Sequence, residues 1–164
     1  MSGADGDMLA AITALVIIMA DQALKLAATG ALMDAPGRKI MVIDRFFYLT
    51  LVHNRGAAFG IFPRQNLLFI ILSILTISLL LIFYRRLFSR GHLPQISAGL
   101  ILGGAVGNLI DRFRFDHVVD FLDFQFGSYH WPAFNLADSA ICIGVALLIG
   151  VVLFGKEKSI KETQ

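Results

Sequence analysis

One cysteine and few charges leave this 164-residue chain without several of the usual means of holding a small protein together. A single thiol, Cys142, cannot close an internal disulfide or build a thiolate zinc site. It stands in the apolar run of residues 141–154 and is expected to be a small, inert packing residue. Charged residues make up 16% of the chain, against about a quarter in soluble domains. The net charge of +2 is too small to argue for a nucleic-acid partner. The four histidines form no HExxH pattern, so no metal is expected. Residues 1–7 carry Asp5 and Asp7 and no basic residue, which argues against a cleavable signal peptide.

What the chain has instead is apolar length. Hydrophobic residues make up 57% of it, and the mean hydropathy is +0.73. The bilayer is the expected solvent, and 164 residues suit one integral membrane domain over residues 1–164. Crossing a hydrocarbon core takes about 20 mainly apolar residues in a helix. Four stretches qualify, at about residues 8–28, 67–84, 93–110 and 134–154. Four spans return both termini to one side. Arg85, Arg86 and Arg90, with Lys156, Lys158 and Lys161, mark that side as cytoplasmic. Arg38, Lys39, Arg45, Arg55 and Arg64 lie in the opposite loop, diluted by its length and by Asp34 and Asp44.

The extracytoplasmic segments, about residues 30–65 and 112–133, are more than linkers. Residues 40–52 are dense in β-branched and aromatic side chains, and residues 113–134 are rich in aromatics, with a turn expected at Gly127-Ser128. A small sheet or hairpin system on the outer surface is expected.

Ionisable groups in membrane spans are costly, so each is a functional candidate. Asp21, Asp111, Asp120, Asp123 and Asp138 all fall near the outer level. Gly99, Gly103 and Gly107 share one helix face, which Asp111 continues, and such a face lets another helix approach closely. Asn108, Asp111 and Arg112 are spaced to form a local structural cluster. Asp21 and Lys25, one turn apart, are expected to pair, or the lysine snorkels outward. Asp138 lies in the first turn of the fourth span, where the helix dipole favours a carboxylate, and Asn135 is a candidate cap. Asp120 sits among valines and phenylalanine, where burial should raise its pKa. Two such carboxylates side by side hold one proton between them, and one activates water while the other protonates a carbonyl. Spacing alone leaves Asp111 and Asp123 open as partners. Ser139 has no activating base in a span. The alternatives are a purely structural subunit, or a small transporter or channel component with acids lining an ion path.

Five blocks, taken together, carry a resemblance. They are Asp21-Gln-Ala-Leu-Lys25, Asn54-Arg-Gly-Ala-Ala-Phe59, Gly103-Gly-Ala-Val-Gly-Asn108-Leu-Ile-Asp111-Arg112, Val118-Val-Asp120-Phe and Phe134-Asn-Leu-Ala-Asp138-Ser. In this order the chain resembles the bacterial lipoprotein signal peptidases, the signal peptidase II family. The resemblance implies a mainly α-helical membrane protein of four transmembrane helices, a small extracytoplasmic β-cradle and a short lid-like helix. It implies an aspartyl endopeptidase of the cytoplasmic (inner) membrane, with both termini cytoplasmic and its active site at the extracytoplasmic face. Its substrate would be a prolipoprotein, cut N-terminal to a diacylglyceryl-modified cysteine. It further implies no cofactor, a monomer among membrane lipids, and inhibition by cyclic peptides such as globomycin. The catalytic pair falls on Asp120 and Asp138. Asn54, Gly56, Asn108, Asp111, Arg112, Asn135 and Ala137 fall on supporting or substrate-contacting positions, and Asp21 and Lys25 on a structural pair. The acidic residues 1–7 depart from the basic start expected of a first span that runs outward.

Overall fold

The structure is a computed structural model that describes residues 3–56, 65–88 and 91–161. Four helices, α1 (Gly3–Leu32), α2 (Asn66–Leu87), α3 (His92–Phe115) and α4 (Leu136–Lys161), are joined at one end by a sheet. Each is long and apolar enough to cross a membrane. Its strands are β1 (Lys39–Ile43), β2 (Phe47–Asn54), β3 (Val118–Phe126) and β4 (Tyr129–His130). They pair antiparallel in the order β1-β2-β3-β4. The expected β-rich run of residues 40–52 is thus two strands, turned at Arg45, whose φ of 55° is left-handed. The second turn falls at Gly127, at φ 63°, where a side chain would be strained.

The helices run past the limits read from hydropathy. A window of apolar residues misses helical turns capped by polar ones, so α1 continues to Leu32 and α3 to Phe115. The fourth begins later than expected, because Phe134 is still bridged to Leu122 of β3 and only Leu136 opens α4. Outside the spans the one short helical element among the described residues is a 3-10 turn at Pro36–Arg38, and residues 57–64, which include Ala57, Ala58, Phe59 and Arg64, lie outside the described residues, as does Arg90.

α3 is the central helix and packs chiefly on α1 and α4. Its glycines make that possible. A Cβ on Gly103 would come within 2.8 Å of the Ala14 carbonyl oxygen of α1, and one on Gly104 would collide with the Ala137 carbonyl of α4. The glycine stripe therefore serves two neighbours, one on each side of the helix. At the far end, Arg85 of α2 reaches Asp7 of α1 at 3.2 Å. The acidic start of the chain thus meets the basic end of α2. Cys142 corrects the expectation of burial: it is exposed, on the side of α4 that lines an apolar-walled cavity. In a bilayer the lipid-facing side of a helix is as apolar as its packed side, so hydropathy could not tell them apart.

Candidate active site

Two polar layers are stacked where the sheet meets the bundle. The deeper one centres on Lys25, whose ammonium lies 2.9 Å from Asp21 Oδ2 and 2.8 Å from Asp111 Oδ2. Its third donor reaches Asn108 Oδ1 at 3.0 Å, so a buried lysine spends all three protons on three acceptors. The acids are held from elsewhere too. Asp21 Oδ1 accepts the Ala137 N–H at 3.0 Å, and Asp111 accepts the Val119 N–H at 3.0 Å and the Gln22 amide at 2.9 Å. The expected local cluster of Asn108, Asp111 and Arg112 is not what forms. Asp111 faces α1 because the glycine face brings α1 that close, and Arg112 turns away to lie over the Phe69 ring, 5.1 Å from its centroid. Lys25 does not snorkel. It closes the layer.

The upper layer holds Asp120 and Asp138. Sheet alternation presents Val118 and Asp120 on one face of β3, and Asn54, opposite Val118 on β2, shares that face. Asn54 donates to Asp120 Oδ2 at 2.9 Å, and the Gly56 N–H donates to Asn54 Oδ1 at 3.0 Å, fixing the asparagine's orientation. Asn135 is set beside Asp120 because the N–H groups of Phe121 and Leu122 both bond the Phe134 carbonyl. Its side-chain amide donates to Asp120 Oδ1 at 2.8 Å and to Asn108 Oδ1 at 3.1 Å. Asn135 also caps α4. Its Oδ1 accepts the Asp138 N–H at 2.9 Å, and its own N–H donates back to Asp138 Oδ2 at 3.2 Å, a reciprocal capping arrangement. Capping does not occupy Asp138 fully, since Oδ1 accepts the Asn108 amide at 2.7 Å. Asn108 thereby links the two layers, with Lys25 on its oxygen and Asp138 on its nitrogen.

Burial pushes the Asp120 carboxyl up to about 7, helped by the nearby charge of Asp138 and resisted by the bonds from Asn54 and Asn135. Asp120 and Asp138 line one cavity of about 680 Å³, together with Asn54, Gly56, Asn108 and the guanidinium-bearing Arg112. Its walls are apolar, from Phe69 of α2 to Ile143 of α4. The Arg112 charge acts on Asp138, Asp120 and Asp111. The two carboxylates thus open on one apolar-walled cavity and feel each other's charge.

Asp123 is elsewhere. It is an odd number of residues from Asp120 and so on the opposite face of β3, bound to Lys39 at 2.9 Å and to Thr50 at 3.1 Å. Asp111 is taken by Lys25. Of the four candidate acids, two remain free to act together. Ser139 donates its hydroxyl to the Asn135 carbonyl at 3.0 Å, and no base contacts it among the described residues. Gln22 belongs to the deeper layer as well, donating to Asp111 Oδ1 and the Gly107 carbonyl, and a polar amide between Asp21 and an apolar run is the signal that marks it. Among the described residues no group of three or more His, Cys, Asp and Glu side chains is placed to hold a metal. The buried ionisable groups gather at one end of the bundle instead of lining a path through it, which leaves a transporter without support.

The sequence model of the family described as signal peptidase (SPase) II matches residues 13–154. A protein of Halothermothrix orenii named lipoprotein signal peptidase is 48% identical over 147 residues, covering 90% of this chain and 96% of the relative. One of the same name from Desulforapulum autotrophicum is 45% identical, covering 86% and 89%. A solved structure described as a bacterial membrane enzyme superposes with a TM-score of 0.76 at 33% identity, over 88% of this chain and 92% of the other. A second, of the same description, gives 0.73 at 32% identity, over 93% and 90%. Over nearly its whole length, then, this chain belongs to the signal peptidase II family.

Proposed function

We propose that the chain is an aspartic endopeptidase that removes the signal peptide of diacylglyceryl-modified prolipoproteins, cutting N-terminal to the lipidated cysteine. The observation that carries the reading is Asn135 bound at once to Asp120 and Asp138, which ties two buried carboxylates to one cavity. Asp120, whose pKa is raised to about 7, keeps the proton. Asp138, in the first turn of α4, is the ionised base. Asp138 takes a proton from water as its oxygen attacks the scissile carbonyl, and Asp120 gives its proton to the carbonyl oxygen. The tetrahedral diol then collapses, the C–N bond breaks, and the proton on Asp138 goes to the amine of the cysteine. Asp120 recovers its proton from the diol hydroxyl. Asn54, Gly56 and Asn135 orient Asp120; Asn108 orients Asp138; Asp21, Lys25, Asp111 and Ala137 hold Asn108 and the start of α4 in place. Arg112 faces the substrate.

The apolar wall from Phe69 to Ile143 suits acyl chains that stay in hydrocarbon while the peptide reaches the polar floor. Cyclic peptides such as globomycin would occupy the same cavity. The enzyme is taken to act as a monomer in the cytoplasmic membrane, with the sheet and active site outside. The Arg85–Asp7 contact and the basic end of α2 support cytoplasmic termini. The test is cleavage of a synthetic lipidated precursor by purified protein in lipid micelles. Asp120→Asn and Asp138→Asn should each abolish turnover while leaving the helical circular dichroism intact. Turnover retained by either variant rejects that residue.

A further inference from the structure

β2 and β3 have a second face. His53 pairs with Val119 across the ladder, so both point away from Asn54 and Asp120. There a second cavity of about 670 Å³ opens, lined by His53, His117, Arg114, Thr29, Leu26 and Met33. We propose that this cavity binds the phosphate headgroup of an anionic phospholipid, whose acyl chains lie along the outer surface of α1.

At the polar end of the cavity Arg114 stands beside two imidazoles, those of His53 and His117, whose rings are 4.2 Å apart. Arg114 has no carboxylate within salt-bridge reach among the described residues. Asp111 lines the cavity too, but its oxygens are already taken by Lys25, Gln22 and the Val119 N–H. His117 Nδ1 is buried without a hydrogen-bond partner, a cost that a ligand's oxygens would relieve once the ring turned. The apolar end is Leu26, 76% exposed, near the end of α1, and Met33, 54% exposed, just past it. Arg114 stands at the end of α3, where a membrane-crossing helix leaves the hydrocarbon. At that level a guanidinium, planar and always charged, is placed to pair with a phosphate headgroup. A free phosphate offers the same charge without the chains.

The test uses the full-length protein in mild detergent, offered equal amounts of phosphatidylglycerol and phosphatidylcholine with identical chains, with retained lipid read by native mass spectrometry. Phosphatidylglycerol should be preferred. Arg114→Gln and His117→Phe, made separately, should each lower that preference, the first by roughly fivefold, the increment of one basic group near an anionic lipid. Arg45→Gln, in the exposed β1–β2 turn, should leave it unchanged. Precursor cleavage by each variant reports its fold, and either variant alone suffices if the other does not fold. Equal retention of the two lipids, or an unchanged preference in a folded variant, overturns the proposal. So does displacement of phosphatidylglycerol by inorganic phosphate alone at equal concentration, which would make the site a simple anion site.

Discussion

Lys25 Nζ lies 2.8 Å from Asp111 Oδ2, with the lysine 4% and the aspartate 2% exposed. A charge pair so far from water gains little net stability over an apolar pair, yet breaking it leaves the partner charge stranded. Here two carboxylates and the Asn108 oxygen depend on one ammonium. Lys25→Met should therefore destabilise the protein by about 3–5 kcal/mol. Activity should fall as well, because Asn108 loses the contact that aims its amide at Asp138. Reversible unfolding in mixed micelles measures the first effect. A variant as stable as the parent would show that the layer is not held by its lysine.

Close helix approach makes a second expectation. The Gly104 Cβ would strike the Ala137 backbone carbonyl, an atom that cannot swing aside. Gly104→Ala should cost about 1–3 kcal/mol by overpacking, and should shift α4 together with Asp138. Gly150→Ala, in the same bundle with nothing within 4 Å, should cost nothing. Thermal unfolding of the two variants side by side separates packing from helix propensity. Equal midpoints would contradict the packing described here.

These residues also show what a sequence can disclose. The spans, the Gly99-Gly103-Gly107 face and the pairing of Asp21 with Lys25 follow from spacing, because helical periodicity fixes which side chains share a face. The raised pKa of Asp120 follows from its apolar neighbours. The choice among the acids does not. Asp111 and Asp123 are lost to Lys25 and Lys39, and those partners come from 86 and 84 residues away in the chain. Spacing within α3 suggested that Asn108, Asp111 and Arg112 would bind one another. Tertiary contact with α1 overrode that local preference. The exposure of Cys142 was hidden for another reason, since lipid and protein interior select the same side chains.

Asn135 and Asp123 offer a paired expectation. Asn135 gives its amide to Asp120 and caps the helix that carries Asp138, so Asn135→Ala strips a partner from two buried groups of the site itself. Leaving a buried group unpaired costs about 1–3 kcal/mol, which corresponds to a loss of roughly 5- to 150-fold in kcat/KM. Asp123→Asn disturbs a partly exposed pair with Lys39 on the other face of β3 and should change kcat/KM less than about twofold. The precursor assay applied to both variants compares the two faces of β3. A large loss in Asp123→Asn would mean that the sheet face is misassigned.

The sharpest expectation concerns pH. Asp120 has an ordinary value of 3.8 and is raised to about 7, first by burial and then by Asp138. If Asp120 is the proton donor, it is competent below that value, and kcat/KM should fall about tenfold per unit as pH rises beyond it. Were Asp120 the ionised base, the profile would rise over the same range, so the sign of the limb assigns the roles. Asn54 donates to the ionised carboxylate and so holds its pKa down. Asn54→Ala should move the falling limb to higher pH, by up to about one unit for a bond of this size. Stability follows the same linkage. An unfolded aspartate ionises near 3.8 while the folded one keeps its proton to about 7. Between those values the folded state binds more protons, so this group's contribution declines as pH rises through the window and is flat above it. Asp120→Asn should remove that slope, and unfolding measured from pH 4 to 8 reads it independently of any cleavage.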